Sequence, residues 1–156
     1  MMKLSENLSL QEVIKSPTAI KFDIDNTPSR QEIQNLVYIA EHVFQPLRDH
    51  LAVPIYVSSG FRSKALNDRI GGSPTSQHRK GQALDLDAHV FGSTTNAEIF
   101  HFIRQYLDFD QLIWEFGTNL EPAWVHVSFV PPGRGHNRKE VLKAYKLDGS
   151  TKYAPW

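Results

Sequence analysis

Two short stretches of the chain sort their side chains onto two faces, and this limits what the chain can fold into. In Gln82-Ala83-Leu84-Asp85-Leu86-Asp87, Leu84 and Leu86 fall on one face and Ala83, Asp85 and Asp87 on the other. In Trp124-Val125-His126-Val127-Ser128-Phe129, the residues Val125, Val127 and Phe129 oppose Trp124, His126 and Ser128. Side chains two apart in a β-strand point the same way. Each stretch therefore predicts a strand with one face in a core and one polar face. Val53–Ser59, ended by Gly60, and Gln111–Glu115 read as two more strands.

Other segments carry helical spacing. Ile33, Leu36, Val37, Ala40, Val43, Phe44 and Leu47 recur at steps of three and four, which predicts a helix to about residue 50. Thr27 is its expected cap and Pro28 its first residue. A second amphipathic helix is expected over 94–107, with Ile99, Phe102, Ile103 and Tyr106 inward. Ser9 with Glu12 marks an early helix start, and Ser63 to Ile70 reads as a short helix closed by Gly71-Gly72. The expected architecture is α+β: a small antiparallel sheet of about four strands, helices packed on one side, and the polar face open. One domain spans residues 1–156, with 1–27 as a lead-in and 131–156 as a peripheral tail.

Composition narrows the chemistry. There is no cysteine, so disulfides, thiol catalysis and cysteine-held zinc are excluded, and any metal must sit on His, Asp or Glu. Lys plus Arg and Asp plus Glu both number 17, and no basic tract argues for nucleic acid. No stretch reaches the length of a membrane helix, so no stable membrane insertion is expected. The first residues lack an apolar run of signal-peptide length, and the expectation is a protein cytoplasmic as synthesised.

His126 and Asp85 project from the polar faces of their strands. His78 lies seven residues before Asp85, and the Lys80-Gly81 turn can bring it back beside that carboxylate. Two imidazoles and a carboxylate suit a tetrahedral zinc site with its fourth position left for water. Taken singly, a histidine in a strand is more often a structural residue than a ligand. His42, His50, His101 and His136 are read that way, and His89 is a weak rival ligand.

Three motifs in order give the trio its context. Ser59-Gly60-Phe61-Arg62-Ser63 comes first, then Ser76-Gln77-His78-Arg79-Lys80-Gly81-Gln82-Ala83-Leu84-Asp85, then Trp124-Val125-His126-Val127-Ser128. The series resembles the zinc D-alanyl-D-alanine carboxypeptidase family, which includes phage endolysins that cut L-alanyl-D-glutamate bonds. The resemblance implies one Zn2+ on His78, Asp85 and His126, with Arg62 meeting a carbonyl or carboxylate of the substrate. A guanidinium suits that task because it binds an oxyanion through two parallel hydrogen bonds. Ser76, Gln77 and Trp124 are further candidates for contact with substrate. Asp87 is a candidate acceptor for orienting a ligand histidine.

The sequence departs from the family at one position. Many members carry an acid three residues before the last histidine, and here Ala123 stands there. Glu115 and Glu121 are the two carboxylates that can replace it as general base. Glu115 is preferred because a strand holds a base more rigidly than a loop tip.

The reading that follows is a zinc peptidase acting on peptidoglycan stem peptide, either a carboxypeptidase or an endopeptidase. Release to the wall by a phage-type lysis system would reconcile that substrate with cytoplasmic synthesis. The alternatives are a zinc-holding module that grips wall peptide without cutting it, and a metal-free structural domain.

Overall fold

The computed structural model describes residues 1–156. A small hairpin, β1 (Lys3–Ser5) and β2 (Leu8–Ser9), leads into α1 (Leu10–Ile14). Ser9 and Glu12 close the expected capping box on α1. A second short helix, α2 (Pro17–Lys21), starts on a Ser16 cap. The lead-in is part of the body, because Leu4, Leu8 and Val13 lie in the main core.

The long helix runs as α3 (Arg30–Ile39), a π-helical turn (Ala40–Phe44) and α4 (Gln45–Leu51). Pro46 at the start of α4 has no N–H to give to the preceding turn, and the widened turn absorbs the missing bond. The cap is Ser29, which forms a second capping box with Glu32; the expected Thr27 cap and Pro28 start lie outside the helix. Then follow β3 (Tyr56–Ser59), α5 (Lys64–Arg69) on its Ser63 cap, a 3-10 turn (Gln77–Lys80) and β4 (Ala83–Asp87). After α6 (Asn96–Tyr106) come β5 (Gln111–Glu115), β6 (Trp124–Ser128), β7 (Glu140–Leu147) and β8 (Ser150–Pro155). In α6, Phe100 is buried with Ile99 and Ile103, whereas Tyr106, expected inward, is 64% exposed.

The main sheet has six strands in the order β3-β4-β6-β5-β7-β8, not four. It is mixed, because β5 and β7 pair in parallel while every other neighbour is antiparallel. Residues after 131 are therefore no peripheral tail: they add the last two strands. Leu84, Leu86, Val125 and Val127 meet Leu36, Val43, Ile99 and Ile103 in one core on the helical side. No helix is long and apolar enough to cross a membrane.

Sheet register arranges the opposite face in rows. Asp85, His126, Ile113 and Leu142 are successive cross-strand partners on β4, β6, β5 and β7. The next row, one side-chain step along, runs Trp124, Glu115, Ala144 and Tyr153.

Candidate functional site

His78 reaches the first of these rows through a tightly specified turn. Ser76 Oγ accepts the His78 backbone N–H at 3.3 Å, and Gly81 ends the turn in the left-handed region at φ 70°. A side chain at Gly81 would stand 2.6 Å from the Glu32 carbonyl, so only glycine meets both the close approach and the dihedral. His78 Nδ1 lies 2.7 Å from the Gly60 carbonyl. That acceptor holds the proton on Nδ1 and leaves the Nε2 lone pair free. The orienting role foreseen for Asp87 falls to Gly60 instead. Asp87 accepts from Asn96 Nδ2 and the His89 backbone.

Asp85 and His126 face each other directly across β4 and β6. Asp85 Oδ1 is 3.2 Å from His78 Nε2 and 3.0 Å from His126 Nδ1. One ligand atom from each of the three lies within 4.8 Å of the others, so the group can hold a metal ion. The donors fit zinc: two imidazole nitrogens, a carboxylate oxygen, and buried side chains already oriented by the fold. Burial works against the Asp85 charge, but the facing His78 and His126 imidazoles outweigh it and hold the carboxyl well below its usual range. Burial pushes the His78 imidazole down, favouring the neutral form that binds metal.

Arg62 stands beside the trio. Its Nε donates to Ser59 Oγ at 3.1 Å and its Nη1 to Asn67 Oδ1 at 3.3 Å, while Nη2 lies 3.6 Å from Asp85 Oδ2. Ser59 and Asn67 thus fix one side of the guanidinium. Asn67 is itself held by the Ser73 carbonyl. Burial lowers the Arg62 pKa from its ordinary value, but a guanidinium starts high enough to stay charged.

Glu115 occupies the second row, 7% exposed. Burial pushes its carboxyl up to about 7, with the Asp85 charge adding to the rise and His126 and Arg62 opposing it. Glu121 is engaged elsewhere. Its carboxylate accepts the backbone N–H groups of Asn96 and Ala97 at the start of α6 and also bonds His89 Nε2 at 2.6 Å. His89 is therefore paired with Glu121, outside the trio.

His78, Asp85, His126, Arg62 and Glu115 border a cleft of ≈ 750 Å³. Trp124 forms part of its wall, with its ring 5.3 Å from that of Phe116. Ser76 and Gln77 line it too, although both serve the fold: Ser76 in the turn, Gln77 through a 3.1 Å bond to Asp110. The sequence reading missed the far wall, where Arg138, Lys146, Thr151 and Tyr153 enter from the C-terminal segment. A signal for it existed. Asp148-Gly149, both at positive φ, is a two-residue hairpin turn of the kind that joins antiparallel strands.

A search of curated proteins gives no match. Residues 6–128 match a family model described as Peptidase M15. The match spans every residue of the trio, Arg62 and Glu115, and ends with β6. With most of its length covered, the chain belongs to the peptidase M15 family of zinc metallopeptidases, enzymes that hydrolyse peptide bonds.

Proposed function

We propose that this protein hydrolyses a peptide bond in peptidoglycan stem peptides, with His78, Asp85 and His126 as ligands of one zinc ion. The observation that carries the reading is the convergence of these three donors at an open cleft, with Glu115 in the adjacent row. Zinc held there supplies Lewis acidity toward a carbonyl and makes a water molecule more acidic.

The protein's own groups account for the rest. Glu115 takes the proton from the attacking water and hands it to the leaving amine. In the metal-free fold burial raises this carboxyl to about 7; a zinc ion beside it would draw the value back down, and a carboxyl balanced between these two influences suits both transfers near neutral pH. Arg62, braced by Ser59 and Asn67, offers N–H groups to the oxygen on which negative charge develops. Trp124 walls the bound peptide, and Ser76 and Gln77 border its path. A module that grips wall peptide without cutting it drew its support from Ala123; a carboxyl supplied from β5 favours hydrolysis.

The test is digestion of purified peptidoglycan by the zinc-loaded protein, with mass spectrometry of the fragments. New peptide ends are expected, and they identify the bond. Glu115→Gln is expected to retain zinc and lose at least about 100-fold in turnover, the usual scale for removing a general base. Intact peptidoglycan after exhaustive digestion by the wild type would sink the reading, and full activity in the variant would remove Glu115 from it.

A further inference from the structure

The family match ends at residue 128, but the cleft continues onto β7 and β8, which carry four cleft-lining residues spaced along the site face: Leu142, Lys146, Thr151 and Tyr153. Three cations border the cleft, and two already face a carboxylate. Arg62 stands 3.6 Å from Asp85, and Arg138 makes bonds of 3.0 and 2.8 Å to Asp110. Lys146 differs. Its ammonium donates to the neutral Thr151 hydroxyl at 2.9 Å and lies 5.3 Å from the centre of the Phe116 ring.

The position of that ring is itself unusual. Phe116 follows Glu115 and by strand alternation would point to the opposite face, yet both residues line the cleft. Phe116 has φ 56°, a left-handed conformation that is strained for an aromatic residue. Its N–H is tied to the Ala144 carbonyl at 3.1 Å. The strained turn sets an aromatic surface beneath an ammonium that has no acidic partner.

We propose that the β7–β8 hairpin forms a carboxylate-binding subsite, in which Lys146 and the Thr151 hydroxyl grip an anionic group on an extended peptide some residues away from the bond that is cut. Cleavage rests on the peptidase reading; the binding does not. Leu142 shares the row of Asp85 and His126, and Lys146 is two rows further along β7. At ~3.4 Å per residue that is roughly 13 Å along β7, and with two strand spacings of ~4.8 Å between β7 and β6 it places Lys146 roughly 17 Å from His126, backbone to backbone. Less the reach of the lysine arm, the gap is roughly three or four residues of extended peptide at ~3.3 Å each. A carboxylate directly adjoining the scissile bond falls short of Lys146. The subsite therefore favours a bond inside a stem peptide over its terminal one. Tyr153, in the row between, walls the peptide along this path.

The experiment titrates the full isotope-labelled chain with a peptidoglycan stem peptide whose carboxylates are free, and with the same peptide amidated, and reads dissociation constants by NMR. The wild type is expected to bind the acid about tenfold more tightly, the scale of one charge-assisted hydrogen bond. Lys146→Gln is expected to lose that preference and Lys146→Arg to keep it. Shifted resonances should include β7 and β8. Equal binding of acid and amide by the wild type, binding of neither, or an intact preference in Lys146→Gln overturns the subsite. A wild type that prefers the acid yet cuts nothing upholds the subsite and overturns the peptidase reading.

Discussion

Glu115, the proposed base, also couples folding to pH. In the unfolded chain its carboxyl titrates near the ordinary 4.5; in the fold, burial moves it up to about 7. Between those values the folded protein binds more protons than the unfolded one, so this residue makes stability fall as pH rises through the window. The full effect is roughly 3 kcal/mol at most, taking about 1.4 kcal/mol per pKa unit. Glu115→Gln removes the charge and keeps the shape. In chelator-treated protein, urea unfolding should show the variant gaining on the wild type from pH 5 to pH 8. Parallel curves would mean that Glu115 meets its charge on better terms than burial allows. The same residue shows what could be read without coordinates. Its place at the end of a strand was readable from the residues, whereas the register that sets it two residues past the partner of His126, and its burial, depend on strand pairing far away in sequence.

Among the elements, the 77–81 turn carries the most consequence for the site. It delivers His78 to Asp85, and it works because Gly81 accepts a left-handed dihedral against the backbone of α3. Gly81→Ala should cost on the order of 2 kcal/mol from dihedral strain and overlap, measured by chemical denaturation. A neutral result would contradict the close packing of turn on helix. Strands β4, β5 and β6 and the long helix were legible because their residues obey one period each. The turn was legible only as a polar loop, since its 3-10 form depends on a serine cap and a glycine that any loop might contain. β7 was missed for a different reason. Val141 and Leu142 are adjacent, Lys143 and Lys146 fall on opposite faces, and no period emerges. Its place in the sheet comes from parallel pairing with β5, a contact far away in sequence, and its one local signal is the Asp148-Gly149 turn into β8.

At the scale of the whole molecule, the sheet separates tasks by face. Helices and core occupy one side, and the cleft with His78, Asp85 and His126 occupies the other. The C-terminal hairpin joins both. Tyr153 faces the cleft, while Trp156 packs its ring 5.0 Å from Phe100 and 5.9 Å from Trp114 on the helical side, beneath the Arg104 guanidinium. Trp156→Ala should lower stability by about 1–2 kcal/mol, since its ring is only partly buried, and loosen the cleft wall; unchanged thermal unfolding would show that the hairpin docks without it. The claim on which everything else stands is that three side chains from a turn and two strands close on one zinc ion. Elemental analysis of the purified chain tests it most directly, with Asp85→Asn alongside. One zinc per wild-type chain and almost none in the variant is the predicted result. A wild type that takes up no zinc, or a variant that holds as much as the wild type, would contradict it.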